Sequence, residues 1–135
     1  MSMTIQEIFD KVTTHLLTQN KQSKEGKVCL YRGPNGTMCA VGCLIKDEFY
    51  YDGLEQKLST DIDVHAALEK SGIEVTAEVE TFLRNLQRLH DGNAVNISAT
   101  KYRKFLTIEW AEGLQYIAKE YNLKFNPPTP KSLRK

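Results

Sequence analysis

The chain has 135 residues, of which 41% are hydrophobic and 26% are charged, and this composition predicts one folded domain rather than a disordered or membrane-embedded chain. Its 18 Lys and Arg residues balance 17 Asp and Glu residues, so a net charge of +1 excludes a whole-molecule field that attracts extended nucleic acid. No apolar run reaches the ~20 residues that span a bilayer, the N-terminus lacks the features of a secretory signal, and the three cysteines predict free thiols in a reducing cytoplasm.

The first helix is predicted to begin at Thr4, because Thr4 and Glu7 have the spacing of a capping box. Apolar residues recur at helical spacing from Ile5 to Leu17 and form one stripe, which predicts a core-facing side. The polar run over residues 18–27 predicts a solvated loop after this helix.

A β-hairpin is predicted to follow the loop. Residues 28–32 are rich in strand formers, residues 33–36 have the Gly-Pro-Asn-Gly composition of a turn, and residues 37–41 can return as the partner strand. Residues 42–49 are apolar and then acidic, and they favour a short helix over a continued strand. A turn over residues 50–53 is expected to end this region.

Two helices are predicted in the middle of the chain. Residues 59–61 offer N-caps for the first helix, and Gly72 lies where a left-handed C-terminal residue is favoured. Thr76 caps the second helix, whose apolar stripe extends to Leu89 before the polar residues 90–93 break it.

A long helix and a tail are predicted to complete the chain. Apolar positions between residues 98 and 121 suit one long helix, whereas residues 126–135 contain three prolines and predict a flexible basic tail. The predicted fold is a single α+β domain over residues 1–125, with the β-hairpin packed among four or five helices.

An anion site is predicted at the hairpin. Glycine lets backbone N–H groups approach an anion closely, and Gly33 and Gly36 flank the predicted turn. Arg32 precedes the turn, and its guanidinium can fork onto a phosphate or a carboxylate. A plain hairpin turn beside a surface arginine is the simpler alternative, since neither a Walker pattern nor a dinucleotide fingerprint is present.

Further residues could complete that ligand site. Tyr31 offers an aromatic face on which a base could stack. Gln87 and Arg88 share a helix with Arg84, one turn earlier, and could form a basic edge beside the hairpin. The predicted ligand is a small anionic or nucleotide-like molecule, with an ordinary solvated helix face as the alternative.

A thiol-dependent enzyme is the alternative function. Cys39 lies between the predicted strand and helix, where free N–H groups and the helix dipole lower the pKa of a thiol. His90 and Asp91 supply the base and the orienting carboxylate that a cysteine hydrolase or transferase needs. Against this interpretation, adjacent residues at a helix end usually point apart, and free cysteines are most often buried in the core.

No metal and no cofactor are predicted. Cys39, Cys43 and His90 offer three soft ligands, but structural zinc sites usually use two close pairs of ligands. The sequence holds no second pair of Cys or His residues with that spacing.

Two elements of the chain, Cys39-Ala-Val-Gly-Cys-Leu-Ile45 and Leu86-Gln-Arg-Leu-His-Asp91, are similar to elements of a family of small uncharacterised phage and prophage proteins. The resemblance implies a phage-like setting in the host cytoplasm and implies no mechanism. It also implies that the two elements meet in one place. By analogy with small phage accessory proteins, we expect a counter-defence role in which the chain sequesters a nucleotide-like ligand or binds a host protein, without membrane or extended nucleic-acid partners.

Overall fold

A computed structural model describes residues 2–26, 28–55, 57–58, 60–91 and 106–128. Helices dominate these residues, and the predicted α+β class with a packed β-hairpin is wrong. The only ladder in the described part of the chain joins β1 and β2, two antiparallel strands of two residues each. The elements in chain order are α1 (Ile5–Gln19), β1 (Lys24–Glu25), β2 (Val28–Cys29), α2 (Ile62–Lys70), α3 (Ala77–Asp91) and α4 (Leu106–Glu120).

The capping box predicted for the first helix is confirmed. The Thr4 hydroxyl accepts the Glu7 N–H at 3.1 Å, and the Glu7 carboxylate accepts the Thr4 N–H at 2.8 Å. At the other end, Asn20 adopts the left-handed conformation with φ of 56° and closes α1. These caps satisfy backbone groups that a helix terminus leaves without intrahelical partners.

The predicted limits of the two middle helices are largely confirmed. Asp61 caps α2 by accepting the Asp63 N–H at 2.8 Å, and Gly72 has the left-handed φ of 100°. Thr76 caps α3 by accepting the Val79 N–H at 3.2 Å. Unlike the prediction, α3 continues through residues 90 and 91, so the last turn of the helix carries both. For the predicted last helix, residues 106–120 are helical, and residues 98–105 lie outside the described residues.

The first predicted hairpin strand gives its backbone donors to other partners. The Leu30 N–H donates to the Ser23 carbonyl at 2.8 Å. The N–H groups of Tyr31 and Arg32 both donate to the Glu55 carboxylate, each at 3.0 Å. Because these three N–H groups already have partners, they cannot donate to the second predicted strand.

The second predicted strand is diverted in the same way. The Met38 N–H donates to the Gln19 side chain at 2.8 Å, and the Val41 N–H donates to the Gln87 side chain at 3.0 Å. What remains of the hairpin is one isolated bridge between Arg32 and Met38. The residues that follow form two single 3-10 turns, Gly42–Leu44 and Asp47–Phe49, in place of one short helix.

The core lies between α1, α3 and α4, which pack pairwise, while α1 also covers the turn at Gly42–Leu44. Burial of apolar surface is the main force that holds such helices together. A Cβ at Gly42 would overlap the Tyr31 carbonyl, so only glycine permits this close backbone approach. The largest fully buried side chains include Phe9, Leu16, Phe82, Trp110 and Leu114.

Past α4, Leu123 and Phe125 pack against the core as half-buried side chains. Residues 129–135 of the predicted tail lie outside the described residues. In the ranges that the structure covers, each helix falls short of the length and apolar character that crossing a bilayer requires.

Candidate functional site

A cavity of about 580 Å³ opens on one side of α3. Its walls come from three parts of the chain that are distant in sequence: the residues around β2, the loop before α2, and the polar side of α3. The lining residues are Cys29, Leu30, Tyr31, Cys39, Lys57, Leu58, Thr60, Arg84, Gln87, Arg88 and Asp91.

The polar wall of the cavity is a single stripe along α3. Arg84, Gln87, Arg88 and Asp91 have the spacing i, i+3, i+4 and i+7, which places them on one side of a helix. Seven residues at the helical rise separate Arg84 from Asp91 by about 10 Å along the axis. The stripe therefore begins with Arg84 and ends with the Asp91 carboxylate, and Arg88 lies between them, about 4.5 Å along the axis from Asp91.

Three cationic side chains line the cavity, and the ion pairs that two of them form are weak enough for a ligand to replace. Lys57 pairs with Asp63 at 3.3 Å, and Arg84 approaches Glu80 at 3.7 Å. Solvent-exposed ion pairs of this kind contribute little to stability, so a ligand anion can replace them at low cost. Within the described residues, Arg88 is in no ion pair.

Asp91 is held in place by hydrogen bonds from its own helix. The Gln87 amide donates to Asp91 Oδ1 at 2.9 Å, and His90 Nδ1 lies 2.8 Å from the same oxygen. Because the Gln87 oxygen also accepts the Val41 N–H, Gln87 joins the Cys39-Ala-Val-Gly element to Asp91. The two elements of the phage resemblance thus meet at this cavity.

His90 is a buried histidine with both ring nitrogens occupied. Its Nε2 accepts the Ser23 N–H at 2.9 Å, and a backbone N–H can only donate. The hydrogen-bond network therefore assigns the ring proton to Nδ1, which donates to Asp91. The ring is 0% exposed and stacks on Trp110 with a centroid separation of 5.6 Å. In this arrangement neither nitrogen can accept a proton from a thiol.

The side chains of Cys29, His90 and Asp91 offer ligand atoms within 4.8 Å of one another, a spacing that a metal ion could use. Ligation by His90 Nδ1 would move the ring proton to Nε2, where it would meet the Ser23 N–H. Two donors would then face each other in a buried place, which costs free energy. The chemistry of this donor set does not fit a metal.

The thiol chosen from the sequence, Cys39, is only 1% exposed, and its sulfur accepts the Gly42 N–H at 3.2 Å. Burial raises the pKa of this thiol well above its ordinary value. Cys29 is half-buried, and burial together with the neighbouring Asp91 carboxylate raises its pKa to about 12. Both groups are neutral thiols near pH 7. The thiol-dependent enzyme stays a prediction, and His90 cannot act as its general base in this hydrogen-bond arrangement.

Arg32 lies outside the cavity lining. Its guanidinium pairs with Asp47 at 2.6 Å, donates to the Ile45 carbonyl, and lies 4.9 Å from the ring centroid of Tyr50. These partners fasten the 42–47 segment to the residues around Tyr31. Arg32 is thus engaged by its own chain, and the structure does not bring it together with Gln87 and Arg88.

Gly33 and Gly36 also lie outside the cavity lining. The Gly33 N–H donates to the Thr37 carbonyl at 2.8 Å, and a Cβ at Gly33 would meet the Ser23 and Thr37 hydroxyls. Gly36 has a φ of 74° at an exposed turn, where glycine is favoured for its backbone conformation. The structure gives both glycines a role in the turn.

Of the predicted ligand residues, the structure brings Tyr31, Gln87 and Arg88 together at the cavity. The sequence analysis did not identify Lys57 or Cys29 as residues of this site. The spacing of one helical turn between Arg84 and Arg88 indicates that Arg84 belongs to the site. The loop around Lys57 has no sequence pattern that indicates a site.

Comparisons of the chain with protein-family models, with curated proteins and with solved structures give no match. The resemblance to phage proteins therefore stays a prediction, and a proposal about function has to rest on the chemistry of the cavity.

Proposed function

We propose that this chain is a phage-type accessory protein that binds and sequesters a small anionic, nucleotide-like ligand in the α3 cavity. The observation that carries the proposal is the convergence of Lys57, Arg84 and Arg88 on one concave surface. The counter-defence role depends on the resemblance to phage proteins alone. The binding activity depends on the chemistry of the cavity.

The two arginines suit a phosphate-bearing ligand. A guanidinium presents a planar fork of N–H donors that matches two oxygens of a phosphate or carboxylate. Arg84 and Arg88 stand one helical turn apart, so both forks can address one anion. Lys57 adds a third positive charge from the loop before α2.

The rest of the cavity suits the body of a small molecule. Its volume of about 580 Å³ lies within the roughly 300–1,000 Å³ of ligand pockets. Leu30, Leu58 and Tyr31 supply apolar surface for a ring system. A concave site of this size favours a small ligand over a host protein, which would instead need a broad contact surface.

The test is isothermal titration calorimetry with the full chain at low ionic strength, using pyrophosphate and AMP as probes. We expect saturable heat, and we expect Arg84→Gln and Arg88→Gln each to weaken binding by about tenfold, because each removes a charge-assisted hydrogen bond. Higher salt should weaken binding further.

The matched control is Lys119→Gln, which removes one exposed positive charge from α4, away from the cavity. We expect this variant to bind like the wild type. Absence of heat with both probes would contradict the proposal, and so would an equal loss of affinity in the Lys119→Gln variant.

A further inference from the structure

We propose that Asp91 selects the ligand within the class proposed above, and that the preferred ligand is a purine nucleotide with an amino group on its ring. The amino group would donate to Asp91, and the phosphate would lie at Arg84 and Arg88. This inference rests on the proposed function and adds a specificity to it.

Asp91 is the one carboxylate among the described residues that line the cavity. A bare anion such as phosphate is attracted by Arg84 and Arg88 and is repelled by Asp91. A ligand complementary to both the arginines and Asp91 carries a hydrogen-bond donor as well as a negative charge.

The Asp91 carboxylate is prepared to accept a donor. Oδ1 already accepts from Gln87 and from His90, which fixes the orientation of the side chain. Within the described part of the chain, no N–H or O–H group donates to Oδ2, and the neighbouring thiol of Cys29 is a weak donor. The Asp91 side chain is 25% exposed, so a ligand can reach it.

The length of the site favours an extended ligand over a compact one. About 10 Å of helix axis separates Arg84 from Asp91, and Arg88 lies between them. A nucleotide carries its amino group and its phosphate at opposite ends of one molecule. Its ring would contact the apolar wall formed by Leu30, Tyr31 and Leu58.

The test compares AMP with purine riboside 5′-monophosphate, which differs by the absence of the ring amino group. We expect the wild-type chain to bind AMP about tenfold more tightly, because a hydrogen bond to a charged acceptor distinguishes the two. In the Asp91→Asn variant, Oδ1 can still accept from Gln87 and His90, while the new amide presents a donor to the ligand. We therefore expect this variant to lose or reverse the preference for AMP.

The control is Asp52→Asn, which removes an exposed carboxylate outside the cavity and should keep the tenfold preference. Equal binding of the two nucleotides to the wild type would overturn the inference and leave the proposed function standing. Binding of pyrophosphate with neither nucleotide would also overturn it. Absence of binding to all three probes would instead contradict the proposed function itself.

Discussion

Two groups of arginines in this molecule have opposite surroundings. Arg32 is engaged by a carboxylate, a backbone carbonyl and an aromatic ring of its own chain. Arg84 and Arg88 face a cavity, where the first has a distant ion-pair partner and the second has none among the described residues. An arginine beside a glycine-rich turn is therefore a poor indicator of a ligand site, because its guanidinium can be paired with groups of its own chain.

The same contrast extends to the other polar groups of the two regions. Around Arg32, the Glu55 carboxylate accepts two backbone N–H groups and the Tyr50 hydroxyl, so its capacity is used for structure. His90 belongs with this structural group, since it ties α3 to Ser23.

The largest effect is expected from His90→Ala. This change leaves the buried Ser23 N–H without an acceptor and opens a space against Trp110, so we expect the free energy of unfolding to fall by about 3–4 kcal/mol. Urea denaturation followed by circular dichroism measures it. The control is His65→Ala, at a partly exposed histidine, which should cost clearly less. Equal losses in the two variants would remove His90 from the structural group.

Arg32→Ala should have the next largest effect on stability. It removes a charged donor from the Ile45 carbonyl and the contact with Tyr50, and we expect a loss of about 2–3 kcal/mol. The control is Asp47→Asn, which should cost less than about 1 kcal/mol because that carboxylate is 93% exposed. A variant of Arg32 that unfolds like the wild type and fails to bind AMP would reverse the comparison.

The helical part of this fold follows from local sequence, and the region around Arg32 does not. The capping box at Thr4 and the apolar stripe of α3 are short-range patterns, which residues three or four positions apart determine. The hairpin prediction is wrong because the backbone donors of these residues go to the side chains of Glu55, Gln19 and Gln87, which are 19 to 46 residues distant in sequence. Strand propensity contains no information about such partners.

The part of the candidate site that lies on α3 could be predicted from the sequence, and the part that lies on loops could not. Gln87 and Arg88 could be chosen because they lie on the same predicted helix as Arg84. The spacing of Arg84 with Arg88, and of Gln87 with Asp91, places each pair on one side of that helix. Lys57 joins the cavity from a loop without a pattern. Cys29 is more accessible than Cys39 because it is half-buried, whereas Cys39 is buried. The sequence does not reveal this difference, since both cysteines stand among apolar residues.

The thiols provide a prediction that depends on pH. Because the pKa of Cys29 is raised to about 12, its thiolate fraction should rise about tenfold per pH unit from pH 7 to 10 without a plateau. Iodoacetamide labelling of the folded chain, read by mass spectrometry, should follow this rise and should favour Cys29 over Cys39. Saturating AMP should slow it, since Cys29 lines the cavity. Rapid labelling of Cys39 with a plateau below pH 8 would instead support the thiol-dependent enzyme.

The smallest effect on stability is expected for Arg84→Gln and Arg88→Gln. Both side chains are exposed, and the ion pair of Arg84 is long, so we expect each change to stay within about 0.5 kcal/mol of the wild type. Urea denaturation in parallel with the Arg32 variant checks this expectation. A loss above about 2 kcal/mol would assign these arginines to the structural group.

The place where a ligand binds can be measured by titrating AMP into the ¹⁵N-labelled chain and following the backbone amide signals in two-dimensional NMR spectra. The binding account predicts that saturable shifts cluster at Leu30, Tyr31, Gln87, Arg88 and Asp91, which line the α3 cavity. Shifts that cluster at residues 32–36 instead, or spectra that do not change at millimolar AMP, would contradict it.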